Sequence, residues 1–382
     1  MKIGWFTSIE GWGGSEIVSY NVILRLKEMG EEPVLFGVEG SKLFSSLQKE
    51  GIQCAGWKKV PNPPDIHKNK PKPLRQTKNV PLSLRLLAGN LREASHLVRV
   101  FRLYPVDVMW VNVHGYEMAG VSARLCRIPC AGYYHTWPVN EQWWIRRWFI
   151  QITAHFYNIC TGVSRSCMEA WRKYCKLPAR KCRFVLNGID IKKFKPCPHV
   201  RGNKFRLLTV ARLHPMKGLD VLIRAMAEMK DENIMLTIAG EGDEKLRLQN
   251  LAEELGVADR VIFAGYVEEI ASLYSDFDCF VLPSISHEAC PSALLEAMAC
   301  GLPVITSDFG PLPELNLDGV TGLVVPAGDS KKLAEAIRQL ACSEELCVKL
   351  GYAGLERARK DFTQERMVKE IIEICKELAD GS

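Results

Sequence analysis

Residues 286–303 read SHEACPSALLEAMACGLP. The apolar run Cys279–Pro283 lies just before this stretch and predicts a buried strand. Pro291 can occupy the first turn of a helix, and Gly301 is a suitable helix end. The stretch therefore predicts strand, loop and helix in succession, the repeating unit of a parallel sheet covered by helices. The free amide groups at the start of such a helix can bind a diphosphate.

Two carboxylates in this stretch are candidate ligand-binding groups. Glu288 lies in the predicted loop, and Glu296 lies eight residues later, inside the predicted helix. A carboxylate can accept hydrogen bonds from two hydroxyl groups, which suits a sugar or a ribose. The alternative is that both are solvated surface charges. Their position on either side of a predicted anion site favours the binding role.

The same alternation of strands and helices extends over most of the chain. Six strands are predicted in the first half, at Lys2–Thr7, Pro33–Val38, Val106–Val113, Cys130–His135, Gly162–Ser164 and Phe184–Leu186. A second series begins at Phe205, with strands at Arg206–Ala211, Met235–Ala239, Val261–Ala264, Cys279–Pro283, Pro303–Thr306 and Gly322–Val325. These series predict an α/β protein of two Rossmann-like domains whose parallel sheets face a central cleft. The predicted bounds are 1–198 and 199–360, followed by a C-terminal helix in 361–382.

Arg212 and Lys217 follow the first strand of the second series. Two cations at the carboxyl end of a strand can neutralise a diphosphate leaving group. Taken alone, such an arginine and lysine are more often surface residues.

Two glycine-rich loops and one histidine are weaker candidates. Gly13 and Gly14 follow the first strand, and Gly240 and Glu241 follow a strand of the second series, where backbone can approach a ligand closely. Neither loop is a complete dinucleotide-binding motif. His135 ends a predicted strand, where a structural role is an equal alternative.

The sequence offers little support for a metal or a cofactor. The fourteen cysteines include no CxxC pair and lack histidines at zinc-ligand spacing, so buried free thiols are favoured over a zinc site. Asp276 and Asp278 resemble a metal-binding acid pair, but their position favours a connection between a helix and a strand. We therefore predict no metal and no cofactor.

The charge distribution points to an anionic partner. Residues 1–200 carry 30 Lys and Arg against 14 Asp and Glu, whereas residues 201–382 carry 20 against 30. Segment 58–81 holds seven of these cations and six prolines, and a second basic cluster combines Trp143, Trp144 and Trp148 with Arg146 and Arg147. Such segments suit an anionic membrane surface. The alternatives are a solvated loop and core packing of the tryptophans. Nucleic acid is not predicted as a partner, because no binding motif accompanies the charge.

Taken together, these motifs resemble those of the retaining family 4 glycosyltransferases of bacterial surface-polysaccharide type. Glu288 and Glu296 match the Glu-x7-Glu motif of that family. The resemblance covers nearly the whole chain: the Gly13-Gly14 loop, Val111–Gly115, Tyr134–Thr136, Asn187–Asp190, Arg212 with Lys217-Gly218, Gly240–Gly242 and Ala299–Val304. It implies the GT-B fold, in which the first domain binds the acceptor and the final helix crosses back to that domain.

The resemblance also implies roles for individual residues. Arg212 and Lys217 would bind the donor diphosphate, Glu296 the ribose and Glu288 the transferred sugar. Gly13 and Gly14 would close over the donor, Gly240 and Glu241 would belong to its site, and His135 would assist transfer. The backbone of Ala289, Cys290, Pro291 and Ser292 would contact sugar hydroxyls and phosphate. The family usually has Gly-Phe or a similar pair where this chain has Ala289-Cys290, so the sugar preference stays open.

The reaction implied is metal-independent transfer of a hexosyl unit with retention of anomeric configuration. The donor would be GDP-mannose or a UDP-hexose, and the acceptor a glycan or a lipid-linked glycan. No targeting or spanning segment is visible, which predicts a cytoplasmic protein, located at the inner face of the membrane if the acceptor is lipid-linked. Two alternatives remain open: a non-catalytic nucleotide-sugar-binding scaffold and a nucleotide-sugar epimerase of the same fold.

Overall fold

A computed structural model describes residues 1–57, 82–113, 118–138, 144–196, 202–229 and 233–381. Of residues 82–87 and 144–146 it describes the backbone alone. The basic segment 58–81 and Trp143 lie outside the described residues. The chain divides into two compact units, the first comprising residues 1–163, 168–185 and 368–382, and the second comprising 164–167 and 186–367.

The first unit contains a seven-stranded parallel sheet, and in the sequence helices alternate with most of its strands. The strands are β1 (Lys2–Phe6), β2 (Glu32–Val38), β3 (Gln53–Trp57), β4 (Val108–Val113), β5 (Cys130–Tyr134), β6 (Ile159–Gly162) and β7 (Cys182–Phe184). Their order is β3-β2-β1-β4-β5-β6-β7. The helices are α1 (Gly14–Glu28), α2 (Lys42–Lys49), α3 (Leu82–Leu103), α4 (Met118–Leu125), α5 (Trp144–Ala154) and α6 (Arg165–Cys175).

The second unit is a six-stranded parallel sheet. Its strands are β8 (Phe205–Val210), β9 (Ile234–Ala239), β10 (Val261–Gly265), β11 (Cys279–Leu282), β12 (Val304–Ser307) and β13 (Gly322–Val325), in the order β10-β9-β8-β11-β12-β13. Its helices are α7 (Leu219–Glu228), α8 (Lys245–Glu254), α9 (Ile270–Leu273), α10 (Ser292–Ala299), α11 (Leu312–Leu315), α12 (Ser330–Ala341) and α13 (Glu344–Asp361). The last helix is α14 (Gln364–Asp380), and its residues from Val368 onward belong to the first unit.

The strands are apolar because helices cover both faces of a parallel sheet. Every residue of β4, β5, β11 and β12 is buried. The prediction of two parallel-sheet α/β domains is confirmed. Two strands begin earlier than predicted, β6 at Ile159 and β7 at Cys182, and β3 was not predicted. β3 contains Gln53, Cys54 and Gly56, so it lacks the run of branched apolar residues that predicts a buried strand.

Two glycines bring the loops after β8 and β9 into backbone contact. A Cβ atom at Gly240 would lie 2.0 Å from the carbonyl oxygen of Ala211, and one at Gly242 would lie 2.2 Å from that of Leu213. Gly240 also has a φ of +136°, which side-chain-bearing residues rarely adopt. The Leu213 amide donates to the Glu241 carbonyl at 2.9 Å. Only glycine fits at these two positions, because backbone rather than a movable side chain fills the space.

We expect Gly242→Ala to destabilise the second unit by about 1–3 kcal/mol, because the added methyl group must displace the backbone at Leu213. Chemical denaturation followed by circular dichroism measures the change. Gly202→Ala is the matched control, since a Cβ atom there meets nothing within 4 Å. Equal midpoints for the two variants would contradict the assigned packing.

Candidate functional site

The candidate residues of the second unit lie in three neighbouring loops. β8 pairs with β9 on one side and with β11 on the other. Because all three strands are parallel, their following loops emerge at the same edge of the sheet. These loops carry Arg212 and Lys217 after β8, Gly240 and Glu241 after β9, and Glu288 after β11. The structure thus brings together most of the residues predicted for this half of the site.

Lys217 and Glu288 form an ion pair at this edge. The lysine Nζ contacts Glu288 Oε1, and the two side chains are only 19% and 4% exposed. The Ser284 hydroxyl donates to the same carboxylate oxygen at 3.2 Å. A charge this deeply buried requires such partners, because its transfer from water is otherwise very unfavourable. The pair therefore holds a carboxylate and an ammonium group at one place in the loops.

Backbone contacts fix the position of Lys217. Gly218 has a φ of +62°, and a Cβ atom there would lie 2.2 Å from the carbonyl oxygen of Pro283. The Ile285 amide donates to the Met216 carbonyl at 2.9 Å. The loop after β8 is therefore hydrogen-bonded to the loop after β11, and Lys217 sits at their junction.

The residue before Glu288 has an uncommon backbone conformation. His287 is exposed and has a φ of +55°. For a residue with a side chain this left-handed region is unfavourable by roughly 1–2 kcal/mol. Its neighbours therefore hold the turn that directs Glu288 inward, and such local strain is often found at ligand-binding loops.

Glu296 is held by a tyrosine that the sequence analysis missed. The hydroxyl group of Tyr274, which is fully buried, donates to Glu296 Oε2 at 2.8 Å. Burial raises the pKa of Glu296, while the Tyr274 hydrogen bond and the charge of Lys193 act to lower it. Burial, and then the proximity of Glu296, raise the pKa of Tyr274 well above its usual value, so the phenol remains a donor. One carboxylate oxygen is therefore oriented by the protein itself.

The segment between the two glutamates is held by its backbone. Ala289 and Cys290 are buried, and the Asn187 amide group donates to the Cys290 carbonyl at 3.0 Å. Burial raises the pKa of the Cys290 thiol to about 12, which excludes a thiolate nucleophile near neutral pH. Pro291 lies just before α10 rather than in its first turn, because its ψ of 113° is extended and the helix begins at Ser292.

Arg212 and Glu241 have exposed side chains. The pKa of the nearby His214 responds to the charges around this loop. Its pKa is lowered by burial and by the positive charge of Arg212 and, more weakly, of Lys217, while Glu244 and Asp243 oppose this effect. Two cations thus act on one loop at the carboxyl end of β8, which is a suitable arrangement for an anion.

The candidates of the first unit lie after β1 and β5. The Gly13 amide donates to Glu16 Oε2 at 3.1 Å, and Gly14 begins α1. His135 follows β5, and its Nε2 lies 3.1 Å from Oδ1 of the buried Asn112. The Asn112 Nδ2 in turn donates to the Ser19 hydroxyl at 2.7 Å. In the sequence Asn112 lies in a predicted strand and in the Val111–Gly115 segment of the resemblance, and nothing there pairs it with His135.

Asp278 of the acid pair and most of the described cysteines make contacts within the fold. Asp278 Oδ2 accepts a hydrogen bond from the Arg206 amide at 2.7 Å, immediately before β11. The described cysteines are free thiols. Within the part of the chain that the structure describes, no group of three or more His, Cys, Asp and Glu could hold a metal ion.

We expect Lys217→Met to destabilise the protein by about 3–5 kcal/mol, because it leaves the buried Glu288 carboxylate without its cation. The double variant Lys217→Met/Glu288→Gln should recover part of that loss, since it removes the unpaired charge as well. Chemical denaturation provides both values. Lys332→Met is the control: this lysine and its partner Glu335 are both more than half exposed, so its effect should be much smaller than that of Lys217→Met. A double variant no more stable than the single one would argue against a buried ion pair.

Two family models match consecutive parts of the chain. Residues 12–193 match Glycosyltransferase Family 4, and residues 190–357 match Glycosyl transferases group 1. The chain is 33% identical over 212 residues to the amylovoran biosynthesis glycosyltransferase AmsK of Erwinia amylovora, covering 53% of this chain and 52% of AmsK. It is 32% identical over 265 residues to the putative glycosyltransferase EpsD of Bacillus subtilis, covering 58% of this chain and 68% of EpsD.

The match thus spans about half the length of AmsK and about two thirds of EpsD. Among solved structures, Anabaena Alr3699/HepE in complex with UDP superimposes with a TM-score of 0.81 at 19% identity, covering 99% of this chain and 100% of that one. This likeness establishes the fold. The two successive family models, the relative matched over two thirds of its length and the two parallel sheets show that the chain belongs to the GT-B glycosyltransferases of the family 4 and group 1 type.

Proposed function

We propose that the protein is a retaining, metal-independent hexosyltransferase that uses a nucleoside-diphosphate sugar, GDP-mannose or a UDP-hexose, as its donor. The observation that carries this proposal is the pairing of Lys217 with the buried Glu288, seated beside Arg212 at the carboxyl edge of the second sheet. A diphosphate requires cations, and a sugar requires an oriented carboxylate. This edge supplies both within one loop cluster.

In the proposed mechanism the protein stabilises the departing diphosphate. Arg212 and Lys217 would bind its oxygens, together with the backbone N–H groups of Ala289, Cys290 and Ser292, so that negative charge developing on the leaving group is neutralised. On binding, the phosphate would share Lys217 with Glu288. Glu288 would then accept hydrogen bonds from hydroxyl groups of the sugar.

Glu296 would hold the ribose of the donor. Tyr274 already occupies Oε2 of this carboxylate, so Oε1 is the oxygen that the proposal assigns to ribose hydroxyls. In the first unit, His135 would assist transfer and the Gly13-Gly14 loop would close over the donor. Attack by the acceptor hydroxyl on the face from which the diphosphate leaves would retain the anomeric configuration.

The donor is tested by thermal unfolding in the presence of UDP, GDP, UDP-glucose and GDP-mannose. A ligand at 100 times its Kd stabilises the native state by about 2.7 kcal/mol, which corresponds to a shift of a few degrees. Arg212→Ala should weaken binding by roughly 10–100-fold, because it removes a charge-assisted hydrogen bond. Lys332→Ala, on the exposed face of α12, should leave the shift unchanged. If none of the four ligands shifts the unfolding temperature, the donor assignment is contradicted.

The reaction is tested by following donor consumption with and without added acceptor sugars and EDTA. Retention predicts a product whose anomeric proton has the configuration of the donor sugar, and metal independence predicts unchanged turnover in EDTA. An inverted product or loss of activity in EDTA would refute the corresponding part of the proposal. Nucleotide binding without any turnover would favour a scaffold, and donor conversion that needs no acceptor would favour an epimerase.

We further propose that the acceptor is a glycan or a lipid-linked glycan. The protein would be cytoplasmic and would meet this acceptor at the anionic inner face of the membrane. Trp148 and Ile152, four residues apart on α5, are 56% and 37% exposed, and Phe156 just beyond the helix is 39% exposed. Arg124 and Lys181 line a surface pocket together with Phe156. Exposed aromatic residues beside cations suit the interface of an anionic bilayer. Among the described residues, no helix is long and apolar enough to cross a membrane.

We expect the protein to sediment with vesicles that contain phosphatidylglycerol, but not with vesicles of phosphatidylcholine alone, and less strongly as salt is added. Trp148→Ser should weaken the association. Tyr352→Ser is the control, because Tyr352 is a similarly exposed aromatic residue, at 64%, on α13 of the second unit. Equal sedimentation of both variants would contradict the α5 surface, and no sedimentation at low salt would contradict membrane contact.

A further inference from the structure

A continuous line of hydrogen bonds connects helix α1 to His135 through the interior of the first unit. The Ser19 hydroxyl donates to the carbonyl oxygen of Ser15 at 2.7 Å. Asn112 Nδ2 lies 2.7 Å from the Ser19 hydroxyl oxygen, and Asn112 Oδ1 lies 3.1 Å from His135 Nε2. Ser19 and Asn112 are fully buried, so the protein groups around them must satisfy their polar atoms.

The direction of each hydrogen bond follows from the first one. A backbone carbonyl can only accept, so the single hydroxyl proton of Ser19 is used towards Ser15. Ser19 therefore meets Asn112 as an acceptor, and the donor facing it is the Asn112 amide nitrogen. The opposite side of the same planar amide is its oxygen, which faces His135. Because that oxygen can only accept, His135 Nε2 must carry a proton.

From this geometry we infer that Asn112 and Ser19 are positioning residues that hold neutral His135 in its Nε2–H tautomer. Nδ1 is then the acceptor of the neutral ring, and any hydrogen bond it makes in this state is one that it accepts. A ligand group that meets Nδ1 must therefore be a donor, such as a sugar hydroxyl, rather than a phosphate oxygen. This assignment to a hydroxyl rests on the proposed transfer function, whereas the tautomer does not.

Three further contacts restrain the His135 ring and the α1 end of this line of hydrogen bonds. The Tyr133 ring packs edge-on against His135 with a centroid separation of 4.2 Å. In the first turn of α1, the Ser15 hydroxyl donates to Glu16 Oε1 at 2.7 Å, while Glu16 Oε2 accepts from the Gly13 amide. The Ser15 carbonyl that sets the direction of the line is therefore anchored next to the Gly13-Gly14 loop.

The tautomer is measured by long-range proton–nitrogen NMR on protein with 15N-labelled histidine at about pH 8, where a histidine of ordinary pKa is neutral. His135→Gln identifies the signals of this ring among the eight histidines. We expect the wild-type spectrum to show a protonated Nε2 and an unprotonated Nδ1. A wild-type ring protonated at Nδ1 would overturn the inference.

Variants separate positioning from packing. Asn112→Leu removes the acceptor and should populate the Nδ1–H form, as should Ser19→Ala, which frees the amide to turn. Asn112→Asp keeps an acceptor opposite Nε2 and should keep Nε2 protonated. Ser122→Ala is the matched control: it also removes a buried hydroxyl that donates to a helix carbonyl, at 3.3 Å from the Ala94 oxygen, and should leave the tautomer unchanged. An unaltered Nε2–H signal in Asn112→Leu would overturn the proposal.

Enzyme activity provides a second measurement, and its outcome is independent of the tautomer measurement. If the transfer function holds, Asn112→Leu should lower kcat by up to about 100-fold, the smaller end of what a general acid or base contributes, with little change in the KM of the donor. Ser122→Ala should retain wild-type kcat. Absence of transfer in the wild type would refute the proposed function and leave the tautomer result standing. A tautomer change without any change in kcat would refute the catalytic importance of the positioning.

Discussion

The close approach of backbone to backbone at the carboxyl edge of the second sheet is the constraint on which the candidate site depends. Gly218 lies against the Pro283 carbonyl, Gly240 against that of Ala211, and Gly242 against that of Leu213. Each contact joins the loop after β8 to the loop after a neighbouring strand. A side chain at Gly218 would force the loops after β8 and β11 apart and would move Lys217 away from the carboxylate of Glu288. The positions of the Lys217 and Glu288 charges therefore depend on how the backbone of the loops packs.

The two glutamates of the site are held by different means, and this difference follows from their surroundings. Glu288 is buried next to an ammonium group, so its charge is neutralised within the protein. Glu296 receives a neutral phenol instead, and its burial raises its pKa while Tyr274 and Lys193 counteract the rise. A ligand that carries its own negative charge would therefore affect the first carboxylate through competition for Lys217. A neutral ligand would affect the second only through hydrogen bonds.

Much of the fold could be predicted from the sequence, because strands buried on both faces leave apolar runs that alternate with helical periodicity. β3 was missed, since the exposed Gln53 and the half-buried Cys54 carry no such signal. The residues now found in the loops, Lys217 and Glu288 among them, were predicted from motifs and strand ends. Tyr274, the partner of Glu296, was not predicted, because a hydrogen bond between positions 22 residues apart in the chain has no local pattern. Asn112 and Ser19, 93 residues apart, illustrate the same limit.

The way in which Ala289 and Cys290 are built into the core bears on evolution and on engineering. Both residues are buried, and the Cys290 carbonyl accepts a hydrogen bond from Asn187, so neither side chain is available to a ligand. Peptide groups are the same whatever the residue, so substitutions that conserve the volume of these two side chains would leave the backbone of the segment unchanged. A designer who wished to retune this loop would gain little from exchanging the thiol for another small group. The more effective change would be at Asn187, which sets where the peptide plane points.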